Sequence, residues 1–435
     1  MTIKNSPEGN QSMMNHDRST KVGRGKGPRL GRAVMAALAI PLALAACDSL
    51  LDVDVPGSAT EAEFENPALA RTILVSALGE FECSFAQFVT TTGILAAEVE
   101  STTGLRATNI WNSRLNELDN VMGGCTTSRA AGGFGFWAPM QTARFLNDDG
   151  YRRISEFPDG TVPNRERKLA ELSAYGGYAY LLLGEGHCEV AVDGGPLMTR
   201  NQTFQMAEER FTRALPHADA AGNQSLRNMA LVGRARARLN MGDNQGALAD
   251  ARNIPIGFVR EVGFSSVQVR RENRWPSITI TSRRLAVKPD LRDLTVDGVP
   301  DTRVQHVING VGEDGSTVFH QQQKYTDQSN NMPLASWIEA QFIIAEVAGG
   351  SEAVEALNRI REHFELPAYT GNGSLEDIIE ERRRTFWLDG HRLGDMLRYG
   401  IEFEQGLSSR GDAYGDTTCI PLPLNERLSN PNIAS

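Results

Sequence analysis

The chain has 435 residues, of which 40% are hydrophobic and 23% charged, and its formal net charge is −10. That composition is globular, with nothing collagen-like and no long disordered tract. An acidic chain lacking a basic stripe with interleaved aromatics argues against nucleic acid as a partner.

Lys21, Arg24, Lys26, Arg29 and Arg32 precede the apolar run Ala33 to Leu44, and Leu44-Ala45-Ala46-Cys47 closes it. A basic segment, a short apolar segment and small residues before a cut form a secretory signal. The apolar run is shorter than the ~20 residues a membrane span needs. With a cysteine at the cut, residues 1–46 are expected to be a lipoprotein signal peptide and Cys47 the lipidated N-terminus, an anchor to a membrane. The first 46 residues carry seven Lys/Arg against two Asp/Glu, a net of +5, so the remainder is near −15.

Residues 47–62 read as a polar tether. An N-terminal helical region is expected over 63–160. Asn66 suits an N-cap and Pro67 the first helical position, and further helices are expected at about 84–98, 108–122 and 134–156. Glu98 to Thr108, rich in Ser, Thr and Gly, reads as an exposed loop.

Over 161–257 the pattern is helical and rich in small residues. Gly176 and Gly177 lie inside one helix, where glycine costs about 1 kcal/mol each, so they imply close helix packing. Ala230 to Leu239, the Gly242-Asp243 turn and Ala247 to Ala251 carry the marks of a tetratricopeptide unit. A weaker echo runs through 336–402, with helices at Ile338 to Arg361, Leu375 to Phe386 and Arg392 to Glu402. Such units bury their faces only by stacking. Between them, residues 258–335 form an insertion in which Val267-Gln268-Val269 and Ser277 to Thr281 alternate like short strands. Long insertions on a scaffold tend to build its functional face. Residues 403–435 form a C-terminal segment. The fold class expected is mainly α: a tetratricopeptide-like helical repeat scaffold with irregular, partly β insertions.

Beyond Cys47 four cysteines remain, an even number that favours two disulfides in an oxidising compartment. Three pairings are possible; Cys83–Cys125 and Cys188–Cys419 are favoured, the second clamping the C-terminus to the middle of the chain. No CxxC, HExxH, P-loop, nucleophile elbow or dinucleotide fingerprint occurs. No catalytic residue, metal site or cofactor is therefore expected. Trp337 and Trp387 read as core, and Trp137 is open between core and surface. Trp111, beside Arg106 and Asn109, and Trp275, beside Asn273, Arg270, Arg271 and Arg274, read as aromatic platforms flanked by polar groups. That arrangement suits a glycan or peptide.

The stretch Ile378-Ile-Glu-Glu381-Arg382-Arg383-Arg-Thr-Phe-Trp-Leu-Asp-Gly390-His-Arg392-Leu-Gly-Asp395-Met-Leu-Arg398-Tyr-Gly400 resembles the signature of the SusD/RagB family of outer-membrane nutrient-binding lipoproteins. Tyr399 stands where that signature usually has Trp, and Thr385 where Glu is frequent. Lys324-Tyr325, Trp337 to Glu346, Cys419 to Glu426 and Asn430-Pro-Asn-Ile433 are similar to further family segments, in the same order. The resemblance implies a SusD-like domain over 63–435. It also implies a surface-exposed protein, lipid-anchored in the outer membrane. Such a protein works as a hinged lid over a TonB-dependent barrel transporter (SusC-like) and captures oligosaccharides or peptides without catalysis. Glu381, Arg382, Arg383, Gly390, Arg392, Asp395 and Arg398 are then expected to maintain the fold. The competing reading is a tetratricopeptide scaffold lipoprotein for envelope assembly that binds no small ligand. A secreted hydrolase with an unrecognised carboxylate pair is a third.

Overall fold

The computed structural model describes residues 61, 63–115, 121–125 and 133–433. The expected signal peptide, Cys47 and nearly all of the tether lie outside the described residues. Asn66 accepts a hydrogen bond from the Ala68 amide (3.0 Å) and Pro67 opens a helical turn, as read from sequence. The chain then runs into one long helix, α1 (Ala70–Leu95), rather than breaking near residue 84. Its length and apolarity would suit a membrane span, but here it is a core helix packed against α3 (Trp137–Glu156) and α4 (Arg165–Gly186). The helix expected at 108–122 is the shorter α2 (Arg106–Asn112).

The expected exposed loop after α1 is instead largely buried. Strand β1 (Val99–Ser101) pairs antiparallel with β5 (Leu285–Val287) from the insertion, and Glu98 to Thr103 lie inside. Its Ser and Thr side chains find partners there: Ser101 bonds Asn109, and Thr102 bonds the Arg283 carbonyl at 2.8 Å. Turn-like composition marked a polar segment, and a strand some 180 residues away covers it.

The repeat scaffold follows the expected pairing. Helix α4 meets α5 (Arg200–Ala220), α6 (Gln224–Met241) meets α7 (Asn244–Ala251), and α8 (Trp337–Ala348) meets α9 (Gly350–His363). Helices α10 (Leu375–Thr385) and α11 (Arg392–Tyr399) close the series. Side-chain caps set the starts: Thr199 and Gln202 form a capping box, and Asn223, Asp243, Ser336 and Ser374 each accept a first-turn amide. Of the two glycines read as close-packing, Gly177 acts as read, while a Cβ on Gly176 would make only an ordinary contact, 3.4 Å from Asn147. A Cβ on Gly177 would sit 2.8 Å from the Phe211 ring, and one on Gly233 would clash with the same ring from the other side. Phe211 is thus wedged between α4 and α6.

The described strands form five two-stranded antiparallel pairs. The short pairs β2 (Glu189–Val190) with β3 (Met198–Thr199), and β6 (Thr295–Val296) with β7 (Val299–Pro300), edge the fold. Larger ones are β4 (Val259–Val262) with β10 (Met332–Ser336), and the hairpin β8 (His306–Val311) with β9 (Val318–Gln322). The two strands expected in the insertion are helical turns. Val269–Arg271 is one, and Ser277–Thr281 continues a turn begun at Arg274. Local side-chain bonds outweigh β-propensity here. Asn273 caps the Trp275 amide at 3.1 Å, and the Thr279 hydroxyl donates to the Trp275 carbonyl at 2.7 Å.

Both favoured disulfides are present, with Cα separations of 6.0 Å for Cys83–Cys125 and 5.1 Å for Cys188–Cys419. The C-terminal motif holds the fold through buried ion pairs. Arg382 meets Asp395 bidentately (2.8 and 3.0 Å), Glu381 joins Arg303 and Arg361, and Arg398 reaches Glu346 on α8. Arg383 pairs with Asp290. Arg392 and Gly390 serve the motif differently from its paired residues. The Arg392 guanidinium makes no ion pair or hydrogen bond with the described residues, and burial lowers its pKa. Gly390 is left-handed (φ +82°) but lies beyond the helix end at Thr385; close approach to Phe88 and Val89 explains why only glycine fits.

The turn after α10 is a polar junction. Trp387 is fully buried and donates from Nε1 to the Glu98 carbonyl (3.1 Å), while the Leu388 amide donates to Glu98 Oε1 (3.0 Å). Glu98 Oε2 is buried without a partner, and burial raises this carboxyl to about 7. Asp389 adds to the rise, against the pull of Lys324 and Arg392. A folded-state pKa above the unfolded 4.5 means that the fold holds the extra proton between these values. Stability therefore falls as pH rises through that window, by about 3 kcal/mol for this group. We expect Glu98→Gln, which keeps the acceptor for Leu388, to flatten the decline in melting temperature between pH 5 and pH 8. Glu339, also raised to about 7 by burial, sustains the remaining slope. An unchanged profile in the variant would contradict this assignment.

Candidate ligand-binding cleft

A cleft of about 520 Å³ opens between α1, the start of α2, the segments around Gly124 and Phe134, and the insertion from Val269 to Arg284. That volume is in the usual range for a small-molecule site. Three contacts lace its walls. The Cys83–Cys125 disulfide fixes one segment to α1, and Gln87 Nε2 donates to the Gly124 carbonyl at 3.0 Å. Arg270 bridges across, ion-paired with Glu80 on α1 and donating to the Cys125 carbonyl at 2.9 Å. Gly135 is bonded to Thr91, which sets the approach to Phe134.

The lining mixes apolar and polar groups. Leu105, Ala86, Ile278 and the half-buried ring of Phe134 supply apolar surface. Arg106, Arg270, Arg274 and Arg284 line it together with the single carboxylate Glu272. Two buried polar atoms of the lining have no partner among the described residues: Gln87 Oε1 and Arg274 Nη1. Arg274 spends its other amino group on the Gly133 carbonyl (3.0 Å), and burial alone pulls its pKa down to about 10. Unmatched buried polar groups cost roughly 1–3 kcal/mol each, and both atoms face the cleft with bonding capacity left over.

The expected platform residues divide. Arg106 lines the cleft, with its side chain exposed. Trp275 does not serve as a platform: it is 0% exposed, and its Nε1 donates to the Leu388 carbonyl at 2.9 Å. Its ring lies so close to α1 that a Cβ on Gly93 would meet Cζ2 at 2.9 Å. Asn273 is also fully buried, capping Trp275 and donating to the Asn330 carbonyl. Trp111 is 5% exposed and stands behind Phe134, edge to face with ring centroids 6.2 Å apart. Asn109 braces the 101–103 turn through Ser101 and Thr103. Polar neighbours in sequence suggested exposure, but Arg274 turns toward the cleft while Trp275 turns inward. Phe134, set among glycines, and Gln87, one polar residue in an apolar helix, were missed; neither carries a local signal of exposure or function.

A second cavity of about 350 Å³ lies at Glu100, Lys288, Glu404 and Tyr414. Lys288 is ion-paired with Glu404 there, and the Tyr414 hydroxyl donates to the same carboxylate at 2.7 Å. No buried side-chain atom of its lining lacks a partner among the described residues, unlike in the larger cleft.

No family profile and no curated protein matches the chain. Solved structures do. A surface glycan-binding protein A from Bacteroides uniformis superposes with a TM-score of 0.62 at 14% identity, covering 84% of this chain and 98% of that one. A SusD-like carbohydrate-binding protein from Bacteroides vulgatus gives 0.60 at 14% identity, covering 85% and 97%. A laminarin-binding SusD-like protein gives 0.57 at 17% identity, covering 85% and 98%. The chain therefore has the SusD-like fold.

Phe134→Ala is expected to weaken ligand binding by ~1–3 kcal/mol with little change in melting temperature. Trp275→Ala should instead destabilise the protein by about 3–5 kcal/mol. Parallel thermal melts and binding titrations separate the two, and a stable Trp275→Ala protein with lost binding would restore that ring to the ligand face.

Proposed function

We propose that this chain is a non-enzymic surface lipoprotein that captures oligosaccharides in the cleft beside Phe134 and passes them to a TonB-dependent outer-membrane barrel (SusC-like). The observation that carries the reading is the cleft itself. A rigid, disulfide-laced concavity presents one aromatic ring, apolar patches and two unmatched polar atoms, a donor and an acceptor. Sugar rings offer apolar faces to stack and hydroxyls that both donate and accept, so they fit such a lining. The SusD-like fold, and the glycan and laminarin named for its structural neighbours, favour oligosaccharide over peptide. Cys47 as a lipid anchor fits a protein held at the outer membrane facing outward.

A tetratricopeptide scaffold that only organises envelope partners has no need of a cleft with unsatisfied polar atoms. The test is a screen of the purified protein against arrays of oligosaccharides and peptides, with Phe134→Ala as control. Selective oligosaccharide binding that weakens in the variant is expected. Binding confined to peptides would reassign the ligand, and a folded protein that binds neither would favour the scaffold.

A further inference from the structure

The charge around the cleft runs against that of the whole molecule. The chain carries a net −10, yet four guanidinium groups and one carboxylate line this concavity. Arg270 is matched by Glu80, and Arg284 by Glu313 at 3.0 Å. Arg274 is not. No carboxylate of the described residues lies within ion-pair distance of it, its single bond goes to a neutral carbonyl, and Nη1 has no partner. Three buried arginines elsewhere are paired, Arg236 with Glu185, Arg303 with Asp301 and Glu381, and Arg382 with Asp395, while Arg114 and Arg392, which have no ion pair with the described residues, line neither this cleft nor the second cavity. Arg274 is half-buried, with Nη1 itself out of solvent, and a cation so placed without a counter-charge pays a desolvation cost that an anionic ligand would offset.

Resting on the capture reading above, we propose that the cleft selects oligosaccharides bearing anionic substituents, uronate carboxylates or sulfate esters, and that Arg274 receives the anionic group. The guanidinium fork matches both anions in a planar, two-bond geometry, and such charge-assisted bonds are about twice as strong as neutral ones. Gln87 Oε1, the other unmatched atom, accepts from a sugar hydroxyl, a donor that a bare inorganic anion such as sulfate lacks. A cleft of about 520 Å³ is likewise far larger than one such ion and fits a short run of sugar rings.

The test is calorimetric titration of the purified protein with matched pairs. One pair is a uronic acid oligosaccharide and the same oligosaccharide with its carboxyls reduced to alcohols; the other is a sulfated oligosaccharide and its desulfated form. At low salt the anionic member of at least one pair should bind ~10-fold or more tightly than its neutral twin, the equivalent of one charge-assisted bond. The gap should shrink as salt is raised and narrow in Arg274→Gln. The wild-type pairs decide the question even if that variant folds poorly. Whichever pair shows the gap identifies carboxylate or sulfate as the group recognised. Equal affinity for both members of each pair would overturn the inference and leave the capture reading standing. A preference that persists undiminished in folded Arg274→Gln would remove Arg274 from the role. A folded protein that binds no member of either pair would overturn both readings together.

Discussion

The turn Trp387-Leu388-Asp389 is the junction on which the other parts depend. It receives three distant segments at once. Glu98 at the end of α1 binds it through carbonyl and carboxylate, Trp275 of the insertion donates to the Leu388 carbonyl, and Lys324 and Tyr325 hold Asp389 at 2.9 and 2.6 Å. Both indole rings are fully buried, so each bond is made where water cannot compete. The C-terminal repeat, the insertion and the N-terminal helix are thereby locked to one another through a few atoms. A one-residue shift in this turn would misplace all three.

The cleft is a consequence of that lock. Trp275 is driven against α1 at Gly93, and the residues on either side of it, Arg274, Ser277 and Ile278, become one wall. The opposite wall is set by the Cys83–Cys125 disulfide and by Phe134 resting on Trp111. Stacked helix pairs and paired arginines carry the fold, while a cleft hung on the insertion keeps polar atoms unsatisfied. The cost of those atoms falls on a framework able to bear it.

Much of the scaffold was legible because its signals are local. Gly177 inside a helix announced close packing, the Gly242-Asp243 turn marked a tetratricopeptide unit, and even cysteine arithmetic reached both bridges. The long C-terminal motif carried its buried pairs in its own spacing, apart from Arg392. What could not be read depended on partners remote in sequence. Glu98 to Thr103 looks like a surface loop until β5 covers it, and Ser277 to Thr281 looks like a strand until the anchoring of Trp275 coils it. The candidate site fell furthest from view for the same reason. Tryptophans near arginines were read as exposed, whereas burial was decided by Leu388 for one and Phe134 for the other. Of the expected ligand residues Arg106 is a cleft wall, while Arg270 and Arg274 were noticed merely as neighbours of Trp275.

The most direct test of the cleft assignment is amide hydrogen exchange of the protein with and without a saturating oligosaccharide. The account predicts new protection confined to residues 105–108 and 269–284, the two edges of the cleft around Phe134. Protection that appears instead around 288–289 and 404–414, at the second cavity, would contradict it.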